Sequence, residues 1–357
     1  MKTSNAEIDV VRPLDGGDAS LDVGELSLDE WQRFVDSHPR ATAFHHRRWI
    51  ETLAGQYGLR PFIPAAKSGG EVVVAVPFLA GRSLSGKKRF RSLPFTDCMQ
   101  VLSWDEVATE RLVSYLRTGP RPCHTMSIQT DRPLGGTAGP TAWVRHELTL
   151  GDSLAAIESG FPSSLKRNIR TAGRAGLEFS RRTDDAAMDA FYALHLETRR
   201  EKGIPVQPRS YFRRLLHNVL QPGLGYVGVV ADQGRPVAAA IYLQYGGAVI
   251  YKYGASAADS LAHRPNEWLM YHAIRLAVEE GFDRFDFGVS AREQDGLRRY
   301  KVKWGAVEND VYTVPLVGPA VPPQHASPAV KIAAGVIRRT PRFVCRILGE
   351  VFYRFAG

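Results

Sequence analysis

IPAAKSGGEVVVAVPFL (63–79) and VGVVADQGRPVAAAIYL (227–243) are one pattern written twice, 164 residues apart. Each reads apolar strand, glycine-bearing turn, apolar strand; Gly70 falls on Gly234, Ala75 on Ala239 and Phe78 on Tyr242. Glycine supplies the positive φ that tight hairpins require, and β-branched residues on either side suit buried strands. Ahead of each hairpin lies an amphipathic helical pattern, HHRRWIETLAGQYGL (45–59) and RSYFRRLLHNVLQPGLG (209–225), with an aromatic near its start and a glycine near its end. Helix followed by hairpin therefore occurs twice. A chain of 357 residues is long enough for two like α/β units, each with a core of its own.

The seam is expected near 145–155, where the strand-like HELTL (146–150) precedes Gly151-Asp152-Ser153. That gives a first unit over 1–150, a second over 151–318, and a Pro-rich linker with a basic helix over 319–357. In the second unit, SLAAIESGFPSSLKRNIRTAGRAG reads as helix in two pieces broken around Gly160 to Ser163, with Ser163 or Ser164 as cap of the second. A long helix (186–202), the repeated helix and hairpin, a strand AVIYKYGAS (248–256), a helix NEWLMYHAIRLAVEEG (266–281) and the strand FDRFDFG follow. Strands alternating with helices predict an α/β fold with a mixed sheet.

Hydrophobic content of 44% and aromatic content of 10% exclude a disordered chain. Cys98, Cys123 and Cys345 have no CxxC or metal-ligand spacing, so no metal is expected and a reduced, cytoplasmic compartment is the simplest reading. The polar N-terminus lacks the apolar region of a signal peptide, and no run approaches the roughly 20 apolar residues of a membrane span. The net charge of +9 comes with 36 arginines against ten lysines. It is clustered: Lys87, Lys88, Arg89 and Arg91 in one expected loop, and Lys166, Arg167, Arg170 and Arg174 at helical spacing. Arg167 is the member of the second group singled out to contact an anionic substrate. Such clusters suit tRNA, nucleotide-linked substrates or anionic lipid, and solvated helix faces account for the same patterns.

The third cluster lies in GFDRFDFGVSAREQDGLRRYKVKWG (281–305). An apolar strand stops at Gly288, a polar loop with Ser290, Arg292, Glu293 and Asp295 follows, and Leu297, Tyr300 and Trp304 recur at helical spacing among Arg298, Arg299, Lys301 and Lys303. A loop opening from a strand end beside dense positive charge suits an anionic ligand, or charge that develops during a reaction. Asp286, inside the apolar strand, can orient an incoming amine, accept its proton or pair with Lys301; a structural arginine or backbone amides satisfy it equally well. Asn266 and Ser290 fit substrate contact or plain capping, and Trp304 fits a ligand platform or the core.

After residue 318, VGPAVPPQHASP is a linker, and residues 328–357 carry +5 of the chain's +9. Arg338, Arg342 and Arg346 share one face of a helix, while Val344, Ile347, Val351 and Phe352 tend toward another. Such a helix can lie on the anionic inner face of a membrane or dock on the protein's own body.

In SLKRNIRTAGRAGLEF (164–179), FYALHLETRREKGIP (191–205), YKYGAS (251–256), RPNEWLMYHAI (264–274), FDFGVS (285–290) and GLRRYKVKWGA (296–306), the chain resembles the FemAB-like, CelD-like tandem-GNAT acyltransferases. This group includes the lipid II–glycine glycyltransferases, and the resemblance spans roughly residues 40 to 315. It implies two tandem GNAT-like units and transfer of an acyl or aminoacyl group to an amine, in well-studied members from aminoacyl-tRNA to a peptidoglycan precursor. It further implies that Tyr300-Lys301 is the aromatic–lysine pair associated with the reacting carbonyl or the tRNA end. Arg199 or Arg200, with Tyr251 or Tyr253, would hold the acceptor. The coiled-coil insertion of tRNA-using relatives has no counterpart here.

Amide formation from an ester or thioester needs a neutral amine, a positioned carbonyl and a stabilised oxyanion, and no covalent nucleophile. None is expected, because GxSxG is absent and the cysteines lack a histidine partner. Lys301 is the group expected to face the oxyanion or leaving group. The turn SAADSLAHRPN (256–266) holds no glycine, so its amides are poorly placed to cradle a pyrophosphate. No bound cofactor is expected, and aminoacyl-tRNA ranks ahead of acyl-CoA or a carrier thioester as donor. A non-catalytic RNA- or membrane-binding protein is the alternative from another class.

Overall fold

The computed structural model describes residues 21–83, 85–119, 121–136, 140–151, 153–319, 337–338 and 345–346. The first half runs β1 (Asp22–Glu25), α1 (Leu28–Ser37), α2 (Arg47–Tyr57), β2 (Arg60–Phe62), β3 (Pro64–Ser68) and β4 (Glu71–Ala75). It continues with β5 (Phe78–Arg82), β6 (Lys88–Arg91), β7 (Leu102–Ser103), α3 (Glu106–Arg117), β8 (Thr125–Thr130) and β9 (Pro140–Thr149). The second half runs α4 (Leu154–Ser159), α5 (Ser163–Arg174), β10 (Glu178–Arg182), α6 (Asp185–Lys202), α7 (Arg209–Leu215), β11 (Gly225–Asp232) and β12 (Arg235–Tyr245). It closes with β13 (Ala248–Ser256), α8 (Pro265–Glu279), β14 (Arg284–Ala291), α9 (Asp295–Val302) and β15 (Val307–Val317).

Both repeated hairpins form, and both turn through two residues with positive φ: Gly69 and Gly70 (58° and 87°), Gln233 and Gly234 (49° and 80°). That is the turn whose twist matches a hairpin's strands. The repeated helices α2 and α7 pack against each other; Gln56 Nε2 donates to Ser210 Oγ at 3.0 Å. Beyond the hairpins the correspondence continues. β6, α3 and β8 in the first half match β13, α8 and β14 in the second, each a parallel strand pair joined through a helix.

The main sheet has eleven strands in the order β10-β11-β12-β13-β14-β9-β15-β8-β6-β5-β2. A small sheet, β1-β3-β4-β7, takes the inner half of the first hairpin. β15, late in the chain, slots between β9 and β8 and pairs antiparallel with both. The two halves therefore share one continuous sheet.

One apolar cluster joins the halves, with Trp31, Trp49 and Leu53 packed among Phe191, Phe212 and Leu215. A second lies in the second half around Tyr242, Phe285, Phe287 and Trp304, and a third in the first half around Phe78, Phe90, Leu112 and Val314. Among the described residues no helix is long and apolar enough to cross a membrane.

Two local expectations are corrected. Lys88, Arg89 and Arg91 form strand β6 in place of a loop, because Phe90 alternates between them and buries against Phe62. Helix α5 begins at Ser163 after Pro162, whose fixed φ sets the turn; neither Ser163 nor Ser164 caps it. Most of 319–357, including the proposed basic helix, lies outside the described residues. Ile337 and Cys345, which are described, are buried in the cluster that joins the halves, and Arg338 donates to the Lys202 carbonyl at 3.4 Å.

Candidate active site

β13 and β14 pair in parallel only over Ala248–Ile250 and Arg284–Asp286, then part. Each strand breaks register where they separate. In β13, Tyr251 and Tyr253 pair with adjacent residues of β12, so Lys252 is the extra residue of a bulge. In β14 the bulge falls between Asp286 and Val289, and Gly288 takes φ 68°. A bulge bends the strand and re-aims its side chains, and glycine meets the left-handed conformation without a Cβ clash.

Buried charge collects at this divergence. Asp286 accepts from the Gly288 amide at 2.7 Å and from Arg145 Nε at 2.7 Å. Arg145, on β9, also pairs with Glu147, which stands opposite Asp286 in the sheet. Burial opposes the guanidinium charge, but Asp286 and Glu147 outweigh it and hold Arg145 firmly protonated. Lys252 donates to Asp97 at 2.9 Å from a site shared with the rings of Phe44 and Tyr253, 5.3 and 5.1 Å from the ammonium. There too burial works against the charge, and Asp97 more than restores it.

Lys301 completes the cluster. It is 3% exposed, and its ammonium donates to the carbonyls of Gly288 (2.9 Å) and Val289 (3.0 Å). Burial pushes its pKa down to about 8, against the pull of Asp286 and Asp97. Three cations (Arg145, Lys252, Lys301) thus meet three carboxylates (Asp97, Asp286, Glu147) where the halves join. Lys301 alone among the three cations rests on neutral carbonyls. A small cavity lined by Thr42, His45, Cys98, Gln100, Arg145 and Asp286 lies beside the cluster, with room for about one water molecule.

The other expected site residues are placed as follows. The Tyr251 phenol is pushed up to about 12 by burial, and its hydroxyl lies where a Cβ on Gly254 would sit. Tyr253 hydrogen-bonds the Tyr211 hydroxyl at 3.2 Å and borders Lys252. Arg199 gives two N–H groups to the Pro205 carbonyl (3.1 and 2.9 Å), and Arg200 pairs with Glu197 at 3.1 Å. Asn266 donates to Ser256 Oγ at 3.1 Å, and its own carbonyl accepts from Tyr300 at 3.2 Å, which ties α9 to the start of α8.

Ser290 is fully buried, and among the described residues its hydroxyl has no partner. Trp304 is fully buried and edge-on to Phe161; of its two readings, core or ligand platform, this is the core one. Arg167 is exposed on α5, with no described contact to the charged cluster. The glycine-free turn before α8 is a 3₁₀ turn, Ala258–His263, closed by Arg264 at φ 60°.

Sequence reading missed Asp97, Arg145, Glu147 and Lys252. Two signals were present: a lysine between two tyrosines in an apolar strand, and Arg-His-Glu inside the strand WVRHELTL. Charges there demand partners.

A sheet crossing both halves, with two copies of the parallel strand–helix–strand unit and a strand divergence at a charged cluster, defines an α/β fold of two tandem GNAT-like units. Residues 159–302 match the family model described as an acetyltransferase (GNAT) domain. Among solved structures the chain is similar to FemX: TM-score 0.66, 16% identity, 82% of this chain and 96% of that one. It is also similar to the C-terminal domain of a putative lysylphosphatidylglycerol synthetase from Agrobacterium fabrum (TM-score 0.55, 13% identity, 87% and 94% covered). L-PGS from Bacillus licheniformis follows at TM-score 0.52, 11% identity, with 88% and 98% covered. No curated protein matches. The chain carries the FemAB-like tandem GNAT fold, and the match to the GNAT domain model falls in its second unit.

Proposed function

We propose that the protein is an acyltransferase that forms an amide bond between an acyl or aminoacyl donor and an amine-bearing acceptor. The amine nitrogen attacks the donor carbonyl, a C–N bond forms, and the C–O or C–S bond to the leaving group breaks. The proton lost by nitrogen ends on the leaving group. The observation that carries this reading is Lys301: a buried ammonium with a pKa near 8, on two carbonyls at the divergence of β13 and β14. Those carbonyl contacts can be exchanged for a developing oxyanion at little cost, because no carboxylate has to be given up. Its low pKa also suits it to protonate the leaving group near neutrality. Asp286 acts through Arg145 and the Gly288 amide, holding the bulge on which Lys301 rests.

Aminoacyl-tRNA is the donor placed first. The glycine-free 3₁₀ turn before α8 supports it, since side chains crowd the amides that a pyrophosphate would need. The acceptor amine belongs to a cell-wall-precursor-like or other small molecule, as the resemblance to the FemAB-like group suggests. An acyl-CoA or carrier-thioester donor is the second reading, favoured by the acetyltransferase description of the matching family model. Purified protein offered charged tRNAs, acyl-CoAs and candidate amines, with products read by mass spectrometry, separates these readings. Lys301→Met should lower kcat by about 10²–10³-fold. Product from no donor, with a cellular phenotype untouched by Lys301→Met, would establish a non-catalytic RNA- or membrane-binding protein.

A further inference from the structure

In the first half, β6 and β8 are the parallel pair that corresponds to β13 and β14. One face of this pair is apolar, with Phe90, Met126 and Ile128 buried in the cluster that includes Leu112 of α3. The opposite face carries arginines and hydroxyls beside Leu79 and Pro315. Arg89 and Arg91 stand on β6, in register with Thr125 and Ser127 on β8. On the other flank Gly81 pairs with Arg89 and Leu79 with Arg91.

Both arginines are half-buried, and among the described residues neither meets a carboxylate. The Arg89 Nε is shut off from solvent, with no hydrogen-bond partner among the described residues. Arg91 feels burial first and the charge of Arg89 second, and both lower its hold on its proton. Two unopposed guanidinium groups on one strand face are unfavourable unless an anion joins them.

This face leads to the charged cluster. Ser92, next to Arg91, accepts from the Gln129 amide at 2.9 Å, and the Gln129 side chain donates to the Asp97 carbonyl at 2.7 Å. Asp97 in turn holds Lys252. In sheet order β8, β15 and β9 stand between β6 and β14, a separation of roughly 19 Å at the usual strand spacing.

We propose that Arg89 and Arg91 form a binding site for a phosphate or diphosphate group of a substrate, whose other end reaches the divergence of β13 and β14. Planar guanidinium forks match phosphate oxygens two at a time, and Ser127 and Thr125 add hydroxyl donors beside them. A soluble phosphate ester and a lipid headgroup present the same chemistry. The binding test requires no acyl donor, so the site can fail while acyl transfer stands, and the reverse.

Full-length protein is titrated with inorganic pyrophosphate by calorimetry and, separately, sedimented with phosphatidylglycerol vesicles against phosphatidylcholine vesicles. The variant is Arg89→Gln/Arg91→Gln; the control, Arg33→Gln/Arg111→Gln, removes the same charge from exposed helix positions. Saturable binding that weakens by about tenfold or more in the first variant and not in the control supports the site. Response to pyrophosphate assigns a soluble ester, and response to the vesicles alone assigns a lipid headgroup. Equal weakening in both variants, or no saturable binding of either probe, overturns it. If the glutamine pair fails to fold, Arg89→Lys/Arg91→Lys keeps the charge and loses the fork; an affinity unchanged there counts against the site.

Discussion

Asp97 of the first half and Lys252 of the second form a 2.9 Å ion pair that bridges the two halves at the mouth of the diverging strands. The lysine ammonium lies over the rings of Phe44, Trp49 and Tyr253. The second Asp97 oxygen lies 3.2 Å from where a Cβ on Gly288 would sit, against the bulge that supports Lys301. One carboxylate therefore pairs across the join between the halves and lies against the strand that carries the Lys301 contacts.

Breaking that pair from one side leaves a charge without its partner. Lys252→Met is expected to cost about 3–5 kcal/mol in urea unfolding, and Lys252→Met/Asp97→Leu substantially less than the sum of the two single changes. Additive losses in the double-mutant cycle would remove the coupling.

Lys301 links stability to pH. Its pKa falls from 10.5 to about 8 on folding, so between these values the unfolded chain binds the extra proton and the folded one does not. Stability from this group therefore rises as pH increases from about 8 to 10.5, by up to about 3 kcal/mol, and the penalty is fully present below 8. The difference in urea midpoint between wild type and Lys301→Met should follow that course; a flat difference would show an ordinary exposed lysine.

Gly254 keeps space for Tyr251. A Cβ there would meet the tyrosine hydroxyl at 1.6 Å. Gly254→Ala should expel the ring and lower kcat/KM by about tenfold or more, with a stability loss of about 1 kcal/mol. Steady-state kinetics beside thermal melts checks the split.

The described tail residues argue for docking on the protein's own body. Ile337 is 3% exposed within the cluster that joins the halves, and Ile337→Ala is expected to cost about 2–5 kcal/mol. Ending the chain at residue 318 should likewise lower the unfolding temperature. A truncated protein that melts unchanged and loses sedimentation with anionic liposomes would make the tail a membrane anchor instead.

Much of the second half was legible because its signals are local. Strand β13 was expected over 248–256 and forms over Ala248–Ser256; the long helix, expected over 186–202, runs Asp185–Lys202. Periodicity and glycine turns act within a few residues, so they survive in the linear chain. β6 was misread as a loop because three of its four residues are charged and only Phe90 marks the buried face. The charged cluster was half visible: Asp286 and Lys301 stood out within one short stretch, whereas Arg145 lies 141 residues from its partner Asp286 and Asp97 lies 155 from Lys252.

The sequence by itself determined the repeat and the α/β class, since a two-residue glycine turn and an apolar alternation admit few structures, and it marked 281–305 as a stretch where charge gathers at a strand end. Only the tertiary structure decided that β15 returns between β8 and β9 to make one sheet of both halves. It alone decided that Lys301 is buried on two carbonyls while its neighbouring cations are neutralised by carboxylates. The physical reason is desolvation. The state of a buried charge depends on which partners the fold brings within about 3 Å, and those partners come from distant parts of the chain.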